Sequence, residues 1–540
     1  MENKSGLNPI NTKRPLRFFN TTGPCHPDDH YMLPPEDRLV GAQLHRYISD
    51  KLYWVLHAPR QTGKTTFLQS WMREINSGDE AVACYVSVER CQGFAEASKS
   101  MPMLAEAIRT YAERAGLPVP GMPETHPGSM VDTILGQWAK IVAPKPLIVL
   151  FDEVDVIEGE SLISFLRQLR GGFALRGTGN FPVSIALVGM RDLKDYITAS
   201  KGGVAPNPGS PFNIKEDSAV LSNFTSEDIA HLFAQRTAEN GQQITTEALD
   251  YVYEQSRGQP WIVNSLFKRA TMRVLEQESA ETVTLAHIEE ARQQMILARE
   301  THLDALAVRL KDPGVRRIIE PIITGEPDIE LAESDTFRVC LDLGLVAVER
   351  GTPVIANPIY REVIARHLTY GAQLAIPEPK WQWETPDGSL DMDRMMKEFQ
   401  KFWRRHADIW ESKMEYTEAY PHLLLMAFLQ RVLNGGGRIE REYAAGRGRM
   451  DLGIEYNGHW YIIEIKLIHY YDSPQEVREE GLEQIRNYRD TLDSGAPAWL
   501  VIFDRRHAAK EKRRGGSTCP PSWDERISWE QNGDVTVLGC

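Results

Sequence analysis

Ala58-Pro-Arg-Gln-Thr-Gly-Lys-Thr-Thr66 is the stretch whose reading decides the fold. Upstream, Tyr53-Trp-Val-Leu56 is a short apolar run that reads as a buried strand. Downstream, Phe67, Leu68 and Trp71 have the spacing of a helix start. Strand, loop and helix in that order make a P-loop. Such a loop aims successive backbone N–H groups, and the positive end of the following helix, at a polyphosphate, while a lysine reaches the β- and γ-phosphates and a hydroxyl holds Mg²⁺. Gly63, Lys64 and Thr65 stand where those roles fall, and Pro59, Arg60, Gln61, Thr62 and Thr66 complete the cradle. Ala58 takes the place of the first glycine of the G-x-x-x-x-G-K-[ST] pattern. Alanine serves there only if its backbone stays in an ordinary region of φ/ψ space. The plainer reading, a solvated turn rich in Gly and Lys, is weakened by the strand and helix on either side.

A P-loop needs an acidic partner at the end of a neighbouring strand. Leu147-Ile-Val-Leu-Phe-Asp-Glu-Val-Asp155 supplies one: its continuous apolar run suits a central parallel strand covered on both faces, and it ends in Asp152-Glu153. Ligands of a doubly wound sheet sit at the carboxyl ends of the strands, so this pair is expected beside the loop. There Asp152 supports Mg²⁺ and Glu153 orients or deprotonates the attacking water. Ala81 to Ser87 and Val183 to Gly189 read as further strands. Met190-Arg191 follows the latter, and Arg191 is a candidate sensor of the γ-phosphate or a helix cap. Arg167, Arg170 and Arg176 are candidates for an arginine finger, with ordinary surface charge as the alternative.

Composition sets outer limits. A chain of 540 residues suggests three or so domains, at about 150 residues each. The formal charge of −14 argues against a protein that coats nucleic acid, but not against a local basic patch. Cysteines at 25, 84, 91, 340, 519 and 540 include no C-x-x-C pair, so neither a disulfide framework nor a zinc ribbon is indicated. Cys25, His26, Asp28, Asp29 and His30 read as a structured polar loop rather than a metal site. Met1 to Pro15 carries no apolar core or cleavage-like site, and no apolar run is long enough to span a bilayer. A cytoplasmic protein is expected, without membrane contact.

Residues 1–16 read as a tail, and Phe18 to Arg38 as a Pro-rich lead into a helix near Leu39–Ser49. From Thr225 to about Arg299 the pattern is helical, with Thr225 and Thr245 as N-caps. Arg257-Gly-Gln-Pro-Trp-Ile-Val-Asn264 breaks one helix and starts another, with Pro260 in the first turn. Together, the P-loop with its Pro-Arg-Gln, the Asp-Glu strand end and the Gly-Gln-Pro helix start resemble the AAA-like, STAND-related ATPases of bacteria and archaea over roughly residues 17–300. The resemblance implies ATP as ligand, Pro260 beside the nucleotide, and possible homo-oligomer formation through this domain. Met190-Arg191 departs from the small polar residue of ordinary AAA sensors. Next, Leu345 to Ile355 reads as a hairpin turning near Arg350-Gly351 and resembles a winged helix with a packing or relay role. Residues 371–390 are the best linker.

The C-terminal chemistry centres on a second hairpin. Thr417-Glu418-Ala-Tyr-Pro421 opens an apolar helix through Leu433 that Gly435-Gly-Gly437 stops. Then Gly448 to Tyr456 and His459 to Leu467 flank Asn457-Gly458, a two-residue type I′ turn. Such a turn fixes the register: Tyr456 faces His459, and Asp451 lies opposite Glu464. Opposed Cβ atoms are about 5 Å apart, and Lys466 points from the same face. Leu452, Ile454, Tyr461 and Ile463 form the buried side, and Asp451, Glu464 and Lys466 the presented one. Two carboxylates so close invite a divalent cation, Mg²⁺ or Mn²⁺, with Lys466 holding or polarising a water. A solvated charged face is the competing reading. Ser473-Pro-Gln-Glu476 is a capping box, and Gln484 and Tyr488 share the face of the helix it starts.

Glu418, Asp451, Glu464-Ile-Lys466 and Gln484-x-x-x-Tyr488 resemble the PD-(D/E)XK nuclease superfamily in its Q-x-x-x-Y branch, over about residues 395–507. The likeness implies metal ligation by Asp451 and Glu464, catalysis by Lys466, a supporting acid at Glu418, and a Gln484/Tyr488 pair near the nucleic-acid backbone. Met450 stands where the motif has proline. Asp504 to Arg514 is basic, a gatherer of phosphates or a solvated loop. The expected fold is α/β multidomain. It comprises a tail (1–16), a doubly wound P-loop core (17–224), a helical lid (225–299), a winged helix (300–370), a linker (371–394) and a restriction-endonuclease-like domain (395–540). The expected function is ATP-controlled, Mg²⁺-dependent cleavage of DNA. The alternative is an ATPase switch whose C-terminal module binds nucleic acid or a protein without cutting.

Overall fold

The computed structural model describes residues 16–40, 44–78, 80–190, 215–276, 279–298, 303, 306, 308–323, 334–375, 383–411, 420–432, 437–445, 448–468, 472–492, 495–504 and 523–540. These divide into two compact units. The first runs to Thr301 and includes Val339–Val346 and Ala356–Ile359; the second takes the remainder, ending at Cys540.

The first unit follows the chain through β1 (Leu39–Val40), α1 (Leu44–Ser49), β2 (Tyr53–His57), α2 (Lys64–Ser77), β3 (Val82–Ser87), α3 (Ala97–Arg114), α4 (Met130–Val142), β4 (Leu147–Asp152), α5 (Gly159–Phe173), β5 (Ser184–Gly189) and β6 (Lys215–Leu221). The sheet order is β1-β6-β2-β5-β4-β3, parallel except for the antiparallel β1. Alternate residues of β2 divide between the faces, as strand geometry requires. Tyr53 and Val55 pack with α3, α4 and α5, while Trp54 and Leu56 pack with α1 and α2. The doubly wound α/β core expected from the apolar runs is therefore present. Two details differ from the sequence reading. Leu39–Val40 is a strand paired with Val220 and Leu221, and the described helix is Leu44–Ser49. Helical periodicity comes from Leu44, Tyr47 and Ile48, whereas Val40 is exposed and packs nothing.

Four helices follow: α6 (Ser226–Asn240), α7 (Thr246–Ser256), α8 (Pro260–Arg269) and α9 (Leu285–Leu297). Thr225 caps α6 in a reciprocal box with Asp228, and Thr245 caps α7, as their sequence suggested. Gly258 joins α7 to α8 with φ +73°, and a Cβ there would lie 1.9 Å from the Phe224 carbonyl oxygen. Only glycine fits this turn, which explains the first letter of Gly-Gln-Pro. The segment before β1 is tied to these helices. Phe19 packs among Tyr31, Phe233 and Phe267; Trp261 Nε1 donates to Thr21 O at 3.0 Å; Met32 and Gln235 exchange two hydrogen bonds.

Further along lie α10 (Pro313–Ile323), α11 (Asp335–Asp342), β7 (Val346–Glu349), β8 (Thr352–Ile355) and α12 (Pro358–Ala375). The β7–β8 hairpin turns at Arg350 and Gly351, both with positive φ, where the sequence placed it.

The second unit is built on α13 (Met392–Glu411), α14 (Tyr420–Val432), β9 (Gly437–Ala445), β10 (Gly448–Tyr456), β11 (His459–Ile468), α15 (Pro474–Leu492), β12 (Ala498–Asp504), α16 (Trp523–Arg526), β13 (Ser528–Asn532) and β14 (Val535–Gly539). Its mixed sheet runs β13-β14-β12-β11-β10-β9. Both faces are covered. Leu452, Ile454, Tyr461, Ile463 and Ile465 meet α13 and α14, and Ile462, Leu500 and Ile502 meet α15. This corrects the expectation of a hairpin with one open charged face: α15 lies over the side that carries Glu464 and Lys466. Gly481 permits the approach, since a Cβ there would stand 2.5 Å from Leu500 Cδ1 and 3.3 Å from Lys466 Cγ.

Among the described residues no helix is long and apolar enough to cross a membrane. Among the described residues Cys25, Cys84, Cys91, Cys340 and Cys540 form no disulfide, and Cys519 lies outside the described residues.

Candidate functional site

The P-loop joins β2 to α2 at the carboxyl edge of the parallel sheet. Ala58 is buried and keeps an ordinary backbone, so the missing glycine costs nothing there. The loop's left-handed residues are instead Gln61 (φ +58°) and Gly63 (φ +96°), the latter heading α2. Thr62 Oγ1 donates to Pro59 O at 2.9 Å and closes the loop on itself.

Lys64 Nζ donates to the carbonyl oxygens of Ala58 (2.7 Å) and Pro59 (2.8 Å). Burial holds its ammonium down to about 8, against the opposing pull of Asp152 and Asp155 and with a further push down from Arg60. A polyphosphate seated in the loop would supply the counter-charge this lysine lacks.

Thr65 Oγ1 donates to Asp152 Oδ2 at 2.7 Å. Asp152 also accepts from Tyr85 OH at 3.2 Å and from Glu153 N at 2.9 Å. Burial nevertheless leaves its carboxyl raised above the ordinary range, with the Thr65 bond and Lys64 pulling the other way. A hydroxyl and a desolvated carboxylate side by side fit Mg²⁺, which prefers oxygen ligands and a carboxylate or two. Bound there, Mg²⁺ would draw charge from the β- and γ-phosphates.

Glu153 follows in the left-handed region, φ +62°, a costly conformation for a residue of this size. The turn brings Glu153 Oε2 within 2.8 Å of Ser87 Oγ, which donates to it. Burial raises this carboxyl too, partly offset by Ser87 and reinforced by Asp152, Glu89 and Asp155. A carboxylate so tuned is a competent proton acceptor.

These groups line a cavity of about 670 Å³. Its floor is Arg60, Gln61, Gly63, Lys64, Thr65, Thr66, Asp152 and Glu153. It is also lined by Asn20, Thr21, Gly23 to Cys25, Tyr31, Met32, Phe224, Leu232 and, from α8, Pro260, Trp261 and Asn264. Pro260 lines this cavity. Sequence reasoning missed the segment before β1 as a wall; its aromatic residues, Phe18, Phe19 and Tyr31, were the available signal. It also missed Arg38. That side chain is buried, donates to Thr62 O (2.7 Å) and Ser222 O (2.6 Å), and lies over the Phe224 ring, tying the loop to the end of β6.

Arg191 lies outside the described residues. Of the arginine-finger candidates, Arg176 is spent internally, on Lys51 O, Phe173 O and the Phe173 ring. The Cys25–His30 stretch forms a loop in which His26 N donates to His30 Nδ1. Among the described residues no group of three or more His, Cys, Asp or Glu is placed to hold a metal.

In the second unit the hairpin register is the expected one, from Tyr456 facing His459 to Leu452 facing Ile463. Asp451 and Glu464 are the next residues on β10 and β11; the Asp451 side chain and all of Glu418 lie outside the described residues. Glu464 is buried, and Lys466 Nζ stands 3.7 Å from Glu464 Oε1 and 3.0 Å from Glu480 Oε1. An ammonium has three donors, so Lys466 keeps capacity for a water or phosphate oxygen. Gln484 is half-buried, with Oε1 lacking a donor among the described residues, while Tyr488 packs in the cluster beneath α15. The described acids alone do not complete a divalent site; Asp451 is the remaining expected ligand.

Residues 416–500 match the family model of the PD-(D/E)XK nuclease superfamily. This segment is a PD-(D/E)XK nuclease domain. No curated protein matches the chain. Solved structures similar to it include the Walker-type ATPase of Pyrococcus abyssi, at 12% identity and TM-score 0.47 over 64% of this chain and 99% of that one. Cdc6p of Pyrobaculum aerophilum is similar at 12% identity and TM-score 0.34, over 62% and 96%. The Holliday junction branch migration motor RuvB of Thermotoga maritima is similar at 11% and 0.33, over 59% and 90%. The P-loop ATPase fold of the first unit rests on its own loop, strand order and acidic pair. The chain therefore carries a P-loop ATPase core ahead of a PD-(D/E)XK domain.

Proposed function

We propose that the protein binds and hydrolyses ATP with Mg²⁺ at the P-loop, and that its nucleotide state controls Mg²⁺-dependent phosphodiester cleavage of DNA by the PD-(D/E)XK domain. The observation that carries the first half is the Thr65–Asp152 hydrogen bond, with Lys64 and Glu153 beside it in one cavity. The second half rests on the family match together with buried Glu464 beside Lys466. Asp451 and Glu464 serve as metal ligands, Lys466 positions the attacking water, Glu418 supports the metal shell, and Gln484 faces the phosphate backbone. The boundaries 17–224, 225–299, 300–370 and 395–540 describe the working parts, with the β7–β8 hairpin as the wing of a winged helix that relays the ATP state. A cytoplasmic role in genome defence or DNA processing fits this combination, as does homo-oligomer formation through the ATPase core.

A second reading is favoured by the engagement of Lys466 with Glu480: the C-terminal module binds nucleic acid or a protein and the ATPase acts as a switch. Steady-state ATP hydrolysis beside nicking of plasmid DNA separates the two. Hydrolysis with nicking that Lys466→Ala abolishes supports cleavage; hydrolysis with no nicking under any divalent metal supports the switch.

A further inference from the structure

Arg60 stands in the P-loop, four residues before Lys64; it is exposed and lines the cavity that the loop floors. Its Nε donates to Met190 Sδ at 3.3 Å, and no other hydrogen bond or ion pair engages it among the described residues. A thioether sulfur is a weak acceptor, so most of the donor capacity of this guanidinium is unspent. The other cations of the lining are committed. Lys64 donates to the carbonyl oxygens of Ala58 and Pro59, and Arg38 to those of Thr62 and Ser222.

Strand order places this side chain. β5 lies between β2, which leads into the P-loop, and β4, which ends at Asp152. Met190 follows the last residue of β5, and a Cβ on Gly189 would stand 3.1 Å from Asp155 Oδ1, so the end of β5 touches the acidic turn. Resting on Met190, Arg60 occupies the side of the loop that faces Glu153. With the β- and γ-phosphates at Lys64 and the attacking water at Glu153, the γ-phosphorus lies on that side too. Glu89, Asp152, Glu153 and Asp155 line the same cavity, and a phosphate among carboxyl groups needs cations beside it.

We propose that Arg60 is a catalytic residue of ATP hydrolysis, its Nη groups leaving the Met190 end of β5 to donate to the γ-phosphate and to the oxygen that bridges it to the β-phosphate. This rests on the reading of the cavity as an ATP-hydrolysing site. Glu153 takes one proton of the attacking water, the water oxygen bonds the γ-phosphorus, and the electron pair of the breaking P–O bond goes to ADP. Negative charge gathers on the leaving oxygen, where a guanidinium answers it with N–H groups and a full positive charge. A contact that strengthens as this charge develops raises turnover more than ground-state affinity. Because Arg60 belongs to the same loop as Lys64, the charge is supplied within one copy of the chain.

The test compares the full chain as wild type, Arg60→Met and Arg60→Lys in Mg²⁺, by steady-state ATP turnover and by calorimetric titration with the β,γ-imido analogue of ATP. The first variant removes the charge at similar volume; the second keeps the charge but not the planar fork. Arg60→Met is expected to lower kcat roughly 100-fold or more, with analogue affinity changed by less than about threefold, and Arg60→Lys to fall between it and the wild type. Mixtures of Arg60→Met and Glu153→Gln protein are expected to turn over no faster than the two measured apart. Turnover of Arg60→Met within about threefold of the wild type overturns the assignment, as does a loss of affinity that accounts for the loss of rate. Activity restored in the mixture also overturns it, since Arg60 would then serve the nucleotide of a neighbouring copy. If Arg60→Met does not melt cooperatively, Arg60→Lys decides, and turnover within about threefold of the wild type overturns the role. Wild-type protein that binds no analogue, or hydrolyses no ATP, overturns the reading of the site itself, whereas hydrolysis indifferent to Arg60 overturns only the role of this residue.

Discussion

Thr65 Oγ1 donates to Asp152 Oδ2 at 2.7 Å, although the strands that lead to them, β2 and β4, are separated by β5. Residues 87 positions apart thus share the place where a metal would bridge protein and phosphate. Thr65→Ala leaves Asp152 with Tyr85 and the Glu153 amide as donors, so folding is expected to survive. The Mg²⁺-dependent part of ATP affinity is expected to fall by roughly tenfold or more, measured as the ratio of dissociation constants with and without Mg²⁺.

Lys64 gives a pH signature. In the free protein burial holds it down to about 8, so near that pH about half the molecules carry a neutral lysine. Phosphates favour the charged form and raise its pKa on binding. ATP binding near pH 8 is therefore expected to take up protons, and affinity to weaken as pH rises through 8. Titration calorimetry in buffers of different ionisation enthalpy reads the uptake directly; none at pH 8, or release, would contradict it.

Glu153 is held by Ser87 in a left-handed backbone, beside but distinct from the Asp152 carboxylate. Glu153→Gln keeps the shape and removes the proton acceptor. Turnover is expected to drop by about 100-fold or more, with ATP affinity changed by less than about threefold. A parallel loss of affinity would assign Glu153 to binding.

Gly258 couples backbone geometry to the lid. Gly258→Ala places a methyl against the Phe224 carbonyl in a left-handed conformation, and is expected to cost about 2–4 kcal/mol. Denaturant unfolding of the first unit measures it. Because Phe224 lines the cavity and underlies Arg38, ATP affinity is expected to fall as well.

What the sequence revealed depended on how local each signal was. The P-loop, Asp152-Glu153 and the Asn457-Gly458 register were readable because a turn or strand end fixes them within a few residues. Strand β6 was not, since Lys215-Glu-Asp-Ser precedes only three apolar residues and the strand exists by pairing with β2. Arg38 was equally silent: it reaches the loop from a preceding segment, a contact that no spacing encodes. The cover of α15 over Glu464 was marked only by Gly481, a glycine within a helical pattern.

The central claim is that ATP at the first site governs cleavage at the second. The most direct measurement is cleavage of plasmid and single-stranded DNA in Mg²⁺ or Mn²⁺, with and without ATP, by the wild type, Lys64→Ala and Lys466→Ala. The account predicts cleavage that Lys466→Ala abolishes and that ATP alters only when Lys64 is intact. Cleavage indifferent to ATP and to Lys64, or no cleavage at all while ATP is hydrolysed, would contradict it.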